Sequence, residues 1–212
     1  MRSFPDEMRT SDVSLDFFRI EEQSFSYRVS KRVFDVVLSG AGLVLLSPLM
    51  GLITLAIRVD SRGPAFFRQE RIGRYGATFM TYKFRTMDIT SPTFGPKPTS
   101  FEDERITRMG RFLRRTSLDE LPQLLNILKG EMSLVGPRPE QPFLVARYEP
   151  WQRARLSVLP GLTGWWQVNG RKQPMHKHVE EDLYYIRNRS FVFDLEILAK
   201  TISAVVSGEG AV

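Results

Sequence analysis

Asp119 and Glu120 are adjacent carboxylates within SLDELPQLLNILKG (117–130), directly after Arg114-Arg115 and Thr116. Leu121, Leu124, Leu125 and Leu128 recur at helical spacing, which predicts a helix ending at Gly130. Its start falls at Ser117–Asp119, with Pro122 in the first turn, where a missing N–H costs little. Carboxylates at a helix start face backbone donors and the positive end of the helix dipole, which favours their ionised form. An ionised carboxylate can attack as a nucleophile or hold a hard cation. Magnesium characteristically takes one or two carboxylates together with substrate phosphates. The same residues have a plainer reading. Ser117 to Glu120 fits the S-x-x-E capping box, and judged alone capping outweighs chemistry.

Other residues are suited to phosphate. In Pro137-Arg138-Pro139 two prolines restrict the backbone around one arginine, which preorganises a guanidinium fork. A rigid turn with a solvated arginine explains that tripeptide equally well. Lys83, Arg85 and Thr86 end an extended stretch and face either a phosphate or solvent. Thr163, Gln167, Asn169 and Arg171 lie in the glycine-punctuated PGLTGWWQVNGR (160–171), with side chains able to read a nucleotide or a sugar. Trp165 and Trp166 fit a core or a membrane interface better than a base-stacking platform.

Composition narrows the chemistry. The chain has 212 residues, 42% apolar and 25% charged, enough for a packed domain and incompatible with wholesale disorder. It has no cysteine, which excludes disulfides, thiol nucleophiles, thiolate zinc sites and iron–sulfur clusters. Two histidines, His176 and His178, are too few for a histidine-rich metal site. Of 30 basic residues 23 are arginine, and the net charge is +6, so anionic partners are expected. Walker, dinucleotide, zinc-protease and nucleophile-elbow motifs are missing, and no nucleic-acid-binding motif appears.

These residues need elements to hold them. Residues 64–87 alternate around Gly73-Arg74-Tyr75-Gly76 and predict a β-hairpin. Residues 90–100 predict a loop, 104–115 a basic helix, and 135–143 a rigid proline turn. Residues 151–158 predict a short basic helix, 160–171 a loop, and 177–189 a polar helix. Residues 191–206 predict an apolar helix for the core or a membrane interface. The fold class expected is α+β and helix-rich.

Residues 33–57 carry one charge, Asp35, in 25 positions. Such a run as a straight helix measures ~37 Å, enough to cross a hydrocarbon core of ~30 Å. Ser47-Pro48 interrupts it, and the piece before the interruption rises only ~21 Å. Both flanks are basic: Arg28, Lys31 and Arg32 before, Arg58 and Arg62 after. Basic flanks favour the cytoplasmic side. A kinked spanning helix and a helix–break–helix hairpin that returns to the same side both fit these features.

In order along the chain stand KRVFD (31–35), the run broken at Ser47-Pro48, RIG (71–73) and KFRTM (83–87). RRTSLDELPQLLNILKGEMSLVGPRPE (114–140) and PGLTGWWQVNGR (160–171) follow. This series, over about residues 31–205, resembles the bacterial sugar transferases called monotopic phosphoglycosyl transferases. The resemblance implies transfer of a phosphosugar from a UDP-sugar to undecaprenyl phosphate, with release of UMP. It implies Asp119 as nucleophile and Glu120 as base or metal contact. Magnesium would be the cofactor, at Asp119 and Glu120. Arg114 and Arg138 match the family's phosphate or nucleotide contacts. The apolar run matches a re-entrant membrane hairpin with its break at Ser47-Pro48. The implied organisation is an N-terminal extension (1–30), the hairpin (31–58) and a catalytic domain (59–212). The implied place is the cytoplasmic face of the bacterial inner membrane, in contact with lipid and without nucleic acid; a homodimer is compatible. With about 30 residues before the run, the chain resembles a short, catalytic-domain form. Two other readings remain: a glycosyltransferase that releases UDP, and a membrane-attached binding module without catalysis.

Overall fold

The computed structural model describes residues 24–93, 98, 100–169 and 178–207. Helix α1 (Phe25–Asp60) opens it, capped by Ser24, whose hydroxyl accepts from the Tyr27 amide. At 36 residues it is about 54 Å long if straight. It runs through Ser47-Pro48 without interruption, so the two separate helices expected around a break are one helix with an internal proline. Pro48 has no N–H to donate to the Val44 carbonyl, and the Ser47 hydroxyl takes that carbonyl instead, at 2.8 Å. The serine thus repairs the defect that its neighbour makes.

One stripe of α1 is buried at two places, on either side of Pro48. Asp35 and Ser39 before Pro48 are buried, as are Ile53 and Ile57 after it. Phe34 and Leu43 pack on the main core, which gathers Leu124, Ile127, Met132, Val135, Leu183, Tyr185, Ile186 and Ile197. Ile53 and Ile57 join a second core with Ala65, Phe84 and Leu113. Polar ties reinforce both ends. Asp35 accepts from the Leu134 amide at 3.0 Å, and Arg32 donates to the carbonyls of Ile127 and Leu128. Asp60 accepts from the Met109 amide at 3.0 Å. The opposite stripe, including Val37, Val44, Leu45, Leu52, Leu55 and Val59, is exposed.

Strands β1 (Phe66–Ile72) and β2 (Thr78–Phe84) form the expected antiparallel hairpin, pairing Phe66 with Phe84 through Ile72 with Thr78. Its turn is a 3-10 segment (Arg74–Gly76) in which Tyr75 and Gly76 have positive φ. Helix α2 (Arg108–Thr116) starts later than the spacing suggested and is capped by the Thr107 hydroxyl. It lies against the end of β2 because residue 110 is glycine: a Cβ there would stand 2.0 Å from the Thr86 carbonyl oxygen. A 3-10 turn (Leu118–Gln123) and helix α3 (Leu124–Lys129) follow, and Gly130 closes α3 in the left-handed conformation.

The remaining elements build the other wall. Strand β3 (Ser133–Val135) pairs in parallel with β4 (Gly161–Thr163), a ladder that sequence reading missed. Helix α4 (Pro142–Val145) and a 3-10 segment (Pro150–Ser157) lie between them. Helix α5 (Trp165–Asn169) occupies part of the segment expected to be loop. Helices α6 (Val179–Asn188) and α7 (Phe191–Ser207) agree with expectation. Lys31 of α1 meets Asp194 of α7 at 2.6 Å, and Tyr185 of α6 donates to the same carboxylate at 2.7 Å. Trp165 packs on Tyr184 and Phe193, so it is an inter-helix anchor.

Candidate active site

Ser117 has φ 56°, in the left-handed region, and turns the chain sharply between α2 and the 3-10 segment that carries Asp119 and Glu120. Its side chain makes no capping bond there, and the Glu120 side chain reaches elsewhere. The capping-box explanation therefore fails. Left-handed Ser117 and the 3-10 turn also correct the expected α-helical start: α-helix begins only at Leu124, beyond Pro122.

Glu120 Oε1 accepts from Lys83 Nζ at 2.6 Å and from Arg138 Nη2 at 2.7 Å. Burial alone would raise its pKa, but Arg138 and Lys83 overcome that and hold the carboxyl well below the usual range. Asp119 behaves oppositely. Burial pushes it up to about 6, with Glu120 adding to the rise and Lys83, Arg114 and Arg138 opposing it. Among the described residues no hydrogen bond or ion pair holds its carboxylate. One carboxylate is thus permanently ionised and neutralised by two cations. Its neighbour is ionised at neutral pH, half-buried and uncommitted. That division is what a nucleophile beside an electrostatic anchor requires.

The loop of Arg138 is held through its backbone. Two prolines remove N–H groups from Pro137-Arg138-Pro139, and each of the three carbonyls accepts a bond. Gly161 N donates to Pro137 at 2.8 Å, Arg155 Nη2 to Arg138 at 2.7 Å, and Arg71 Nη1 to Pro139 at 3.2 Å. Arg155 is buried and spends its other donors on Asp182 and Tyr148. Burial would lower the Arg155 pKa, but Asp182 carries it above the ordinary value. Arg71 and Arg155 are functional scaffolding that sequence reading missed. Arg71 stands in RIG among the basic residues that follow the apolar run, and Arg155 in the segment expected to be a short basic helix; nothing in their spacing marks them.

A cavity of about 670 Å³ opens over the pair. Lys83, Arg85, Thr86, Arg114, Asp119, Glu120, Arg138, Thr163 and Gln167 line it. Arg114 Nε donates to Thr86 Oγ1 at 3.0 Å, which aims its guanidinium. Thr163 Oγ1 meets Thr201 Oγ1 at 2.7 Å, tying this wall to α7. Pro137 and Pro139 act through the loop they stiffen. Arg85 lines the cavity as well, while its guanidinium donates to the carbonyls of Ser61 and Arg62 at the end of α1. Gly63, at φ 111°, leaves the room that this contact needs. Asn169 is exposed at the end of α5 and outside the cavity lining. Arg171 lies outside the described residues. Ser47 and Pro48 are exposed in the middle of α1.

No group of three or more metal-ligating side chains occurs among the described residues. With Glu120 already paired to two cations, Asp119 is the free carboxylate a magnesium ion would use, its other ligands coming from substrate phosphates and water. This donor set suits magnesium, which seldom takes an all-protein cage.

The model of the bacterial sugar transferase family matches residues 26–208. The chain is 42% identical over 187 residues to the UDP-glucose:undecaprenyl-phosphate glucose-1-phosphate transferase of Escherichia coli (strain K12), covering 82% of this chain and 40% of that protein. It is 38% identical over 192 residues to the UDP-N-acetylgalactosamine-undecaprenyl-phosphate N-acetylgalactosaminephosphotransferase of Aeromonas hydrophila, covering 87% and 45%. It is 40% identical over 199 residues to the exopolysaccharide production protein ExoY of Sinorhizobium fredii (strain NBRC 101917 / NGR234), covering 86% and 88%. The chain therefore spans less than half of the first two relatives and most of the third.

Proposed function

The chain belongs to the bacterial sugar transferase family, and we propose that it moves a sugar 1-phosphate from a UDP-sugar to undecaprenyl phosphate at a membrane surface. The relatives' names supply the substrate class. The observation that carries the reading is the unequal pair: Glu120 neutralised by Lys83 and Arg138, with Asp119 ionisable and uncommitted beside it.

In this mechanism an Asp119 oxygen attacks the phosphorus that bears the sugar. The bond from that phosphorus to the bridging oxygen breaks, and its electron pair leaves with UMP. The phosphosugar remains on Asp119 as a mixed anhydride. A phosphate oxygen of undecaprenyl phosphate then attacks the same phosphorus, and the Asp119 carboxylate departs. No net proton transfer is needed, so the chain's task is electrostatic: Lys83, Arg114 and Arg138 offset the charge that otherwise repels an anionic nucleophile from a diphosphate. Asp119 would hold a magnesium ion, which would supply further screening of the diphosphate charge.

The same reading sets α1 in the membrane as a re-entrant element, on the cytoplasmic face of the bacterial inner membrane. Its support is that segments on both sides of Pro48 pack on one body, through Asp35 to Leu134 and through Ile57 to Leu113. A spanning helix separates its ends by the bilayer. The exposed apolar stripe of α1 is the surface left for lipid.

The test is the nucleotide released by lipid-held protein given magnesium, undecaprenyl phosphate and a set of UDP-sugars. UMP is expected. UDP in its place assigns sugar transfer without phosphate and removes Asp119 as the attacking group.

A further inference from the structure

Strand β2 has β1 on one side only, so its other edge should carry unpaired peptide groups. At the point next to Lys83 it does not. Asn126, fully buried in α3, accepts from the Tyr82 amide at 3.1 Å and donates to the Met80 carbonyl at 2.7 Å. Its side-chain amide stands where a third strand's peptide would. The same Nδ2 donates to Glu131 Oε2 at 2.7 Å, which closes the set and fixes the amide's orientation. Both bonded positions of β2 precede Lys83, and α3 directly follows the turn that holds Asp119 and Glu120.

We propose that Asn126 is a positioning residue for the transfer site. It clamps the strand of Lys83 to the helix that follows the Asp119–Glu120 turn, and so sets the 2.6 Å contact between Lys83 and Glu120. This rests on the reading of Asp119 and Glu120 as the reacting pair. The argument is geometric. Lys83 reaches Glu120 through four rotatable bonds, and only a fixed backbone makes such a long side chain a precise donor. Apolar packing of Leu118 and Leu121 on the core of Phe84, and Lys129 donating to the Tyr82 hydroxyl, also join the two, but neither bonds the backbone of β2, whose sheet has only two strands and is marginally stable on its own. Burial gives the clamp its strength, since an amide that leaves here strands the Tyr82 N–H, the Met80 carbonyl and the Glu131 carboxylate together.

The test combines a mutant cycle with chemical footprinting on the full chain in lipid nanodiscs. In Asn126→Ala, kcat per folded molecule should fall at least tenfold, while KM for the UDP-sugar stays within about threefold. Lys83→Met should fall comparably, and the double variant should be no slower than Lys83→Met alone. Where Asn126→Ala does not fold, Asn126→Asp serves, since it keeps the acceptor for Tyr82 N–H and loses the donor to Met80. Independently of turnover, Lys83 acetylation by acetic anhydride, read by peptide mass, should quicken several-fold in the variant while Lys31 and Lys200 keep their wild-type rates. Multiplying losses in the double variant, or an unchanged Lys83 acetylation rate, overturns the proposal. A wild type that turns over no UDP-sugar, with Lys83 still quickening, overturns the transferase reading and leaves the clamp standing.

Discussion

Asp119→Asn should make the protein more stable while abolishing its turnover. The carboxyl is raised from 3.8 to about 6, chiefly by burial. Carrying that charge in the folded state at neutral pH therefore costs about 3 kcal/mol, taking ~1.4 kcal/mol for each tenfold in proton affinity. Asparagine has nearly the same shape and no charge to desolvate. The sign follows from the direction of the shift. A carboxyl whose folded pKa lies above its unfolded value binds protons more tightly when folded. Its contribution is favourable at low pH and is lost as pH rises from about 4 through about 6. The variant and wild type should thus unfold at the same temperature below pH 4. Above pH 6 the variant should lead by an amount that then stays constant. For a chain of this size each kcal/mol moves the midpoint by ~2–4 °C, so a lead of ~6–12 °C is the upper expectation. The assay is thermal unfolding of both proteins in one detergent, without magnesium, from pH 3.5 to 8. A destabilised variant, or a lead that does not change with pH, refutes the claim that Asp119 is held as a costly buried charge.

The same shift predicts that in the magnesium-free protein the Asp119 carboxyl titrates near pH 6, read as the infrared difference between wild type and Asp119→Asn; a midpoint near 4 would show an ordinary carboxyl. Glu120→Gln keeps an acceptor oxygen but removes the charge that neutralises Lys83 and Arg138, so kcat should fall by about 10²–10³ with the fold retained, measured by nucleotide release and circular dichroism. Gly110→Ala drives a methyl into the Thr86 carbonyl and should cost ~1–3 kcal/mol in denaturant unfolding, with a loss of activity as Arg114 moves off Thr86. Because the chain has no cysteine, single cysteines at Arg28 and Arg62 can be labelled without background. Both should react from the same side of sealed vesicles, and labelling from opposite sides rejects the re-entrant arrangement.

Much of the site was legible because short range carries it. The Asp-Glu pair, the Pro-Arg-Pro tripeptide and the lysine near the end of the hairpin are local patterns, and the structure brings all three within hydrogen-bonding distance. The hairpin and the last two helices were legible from period and punctuation. What failed was long-range or cancelled locally. Pro48 argued for a break, and a serine hydroxyl one residue earlier undid it. Ser117 and Glu120 matched a capping box, yet the pull of two distant cations took the glutamate away. Arg85 lines the cavity and also closes a helix end, a second contact that its place in KFRTM does not show. The parallel β3–β4 pair joins residues nearly thirty apart through three-residue strands, too short for any period to show. Asn126, Arg71 and Arg155 work through backbone carbonyls and amides, which leave no mark on side-chain spacing.

The central claim is that Asp119 carries the phosphosugar. Intact-mass measurement of the protein after brief exposure to a UDP-sugar and magnesium, without undecaprenyl phosphate, tests it most directly. The account predicts an added mass of one sugar phosphate. The adduct should map to the peptide containing Asp119, be absent in Asp119→Asn, and disappear when undecaprenyl phosphate is supplied. Steady UMP release that requires undecaprenyl phosphate, with no adduct at any time and turnover surviving in Asp119→Asn, would contradict it.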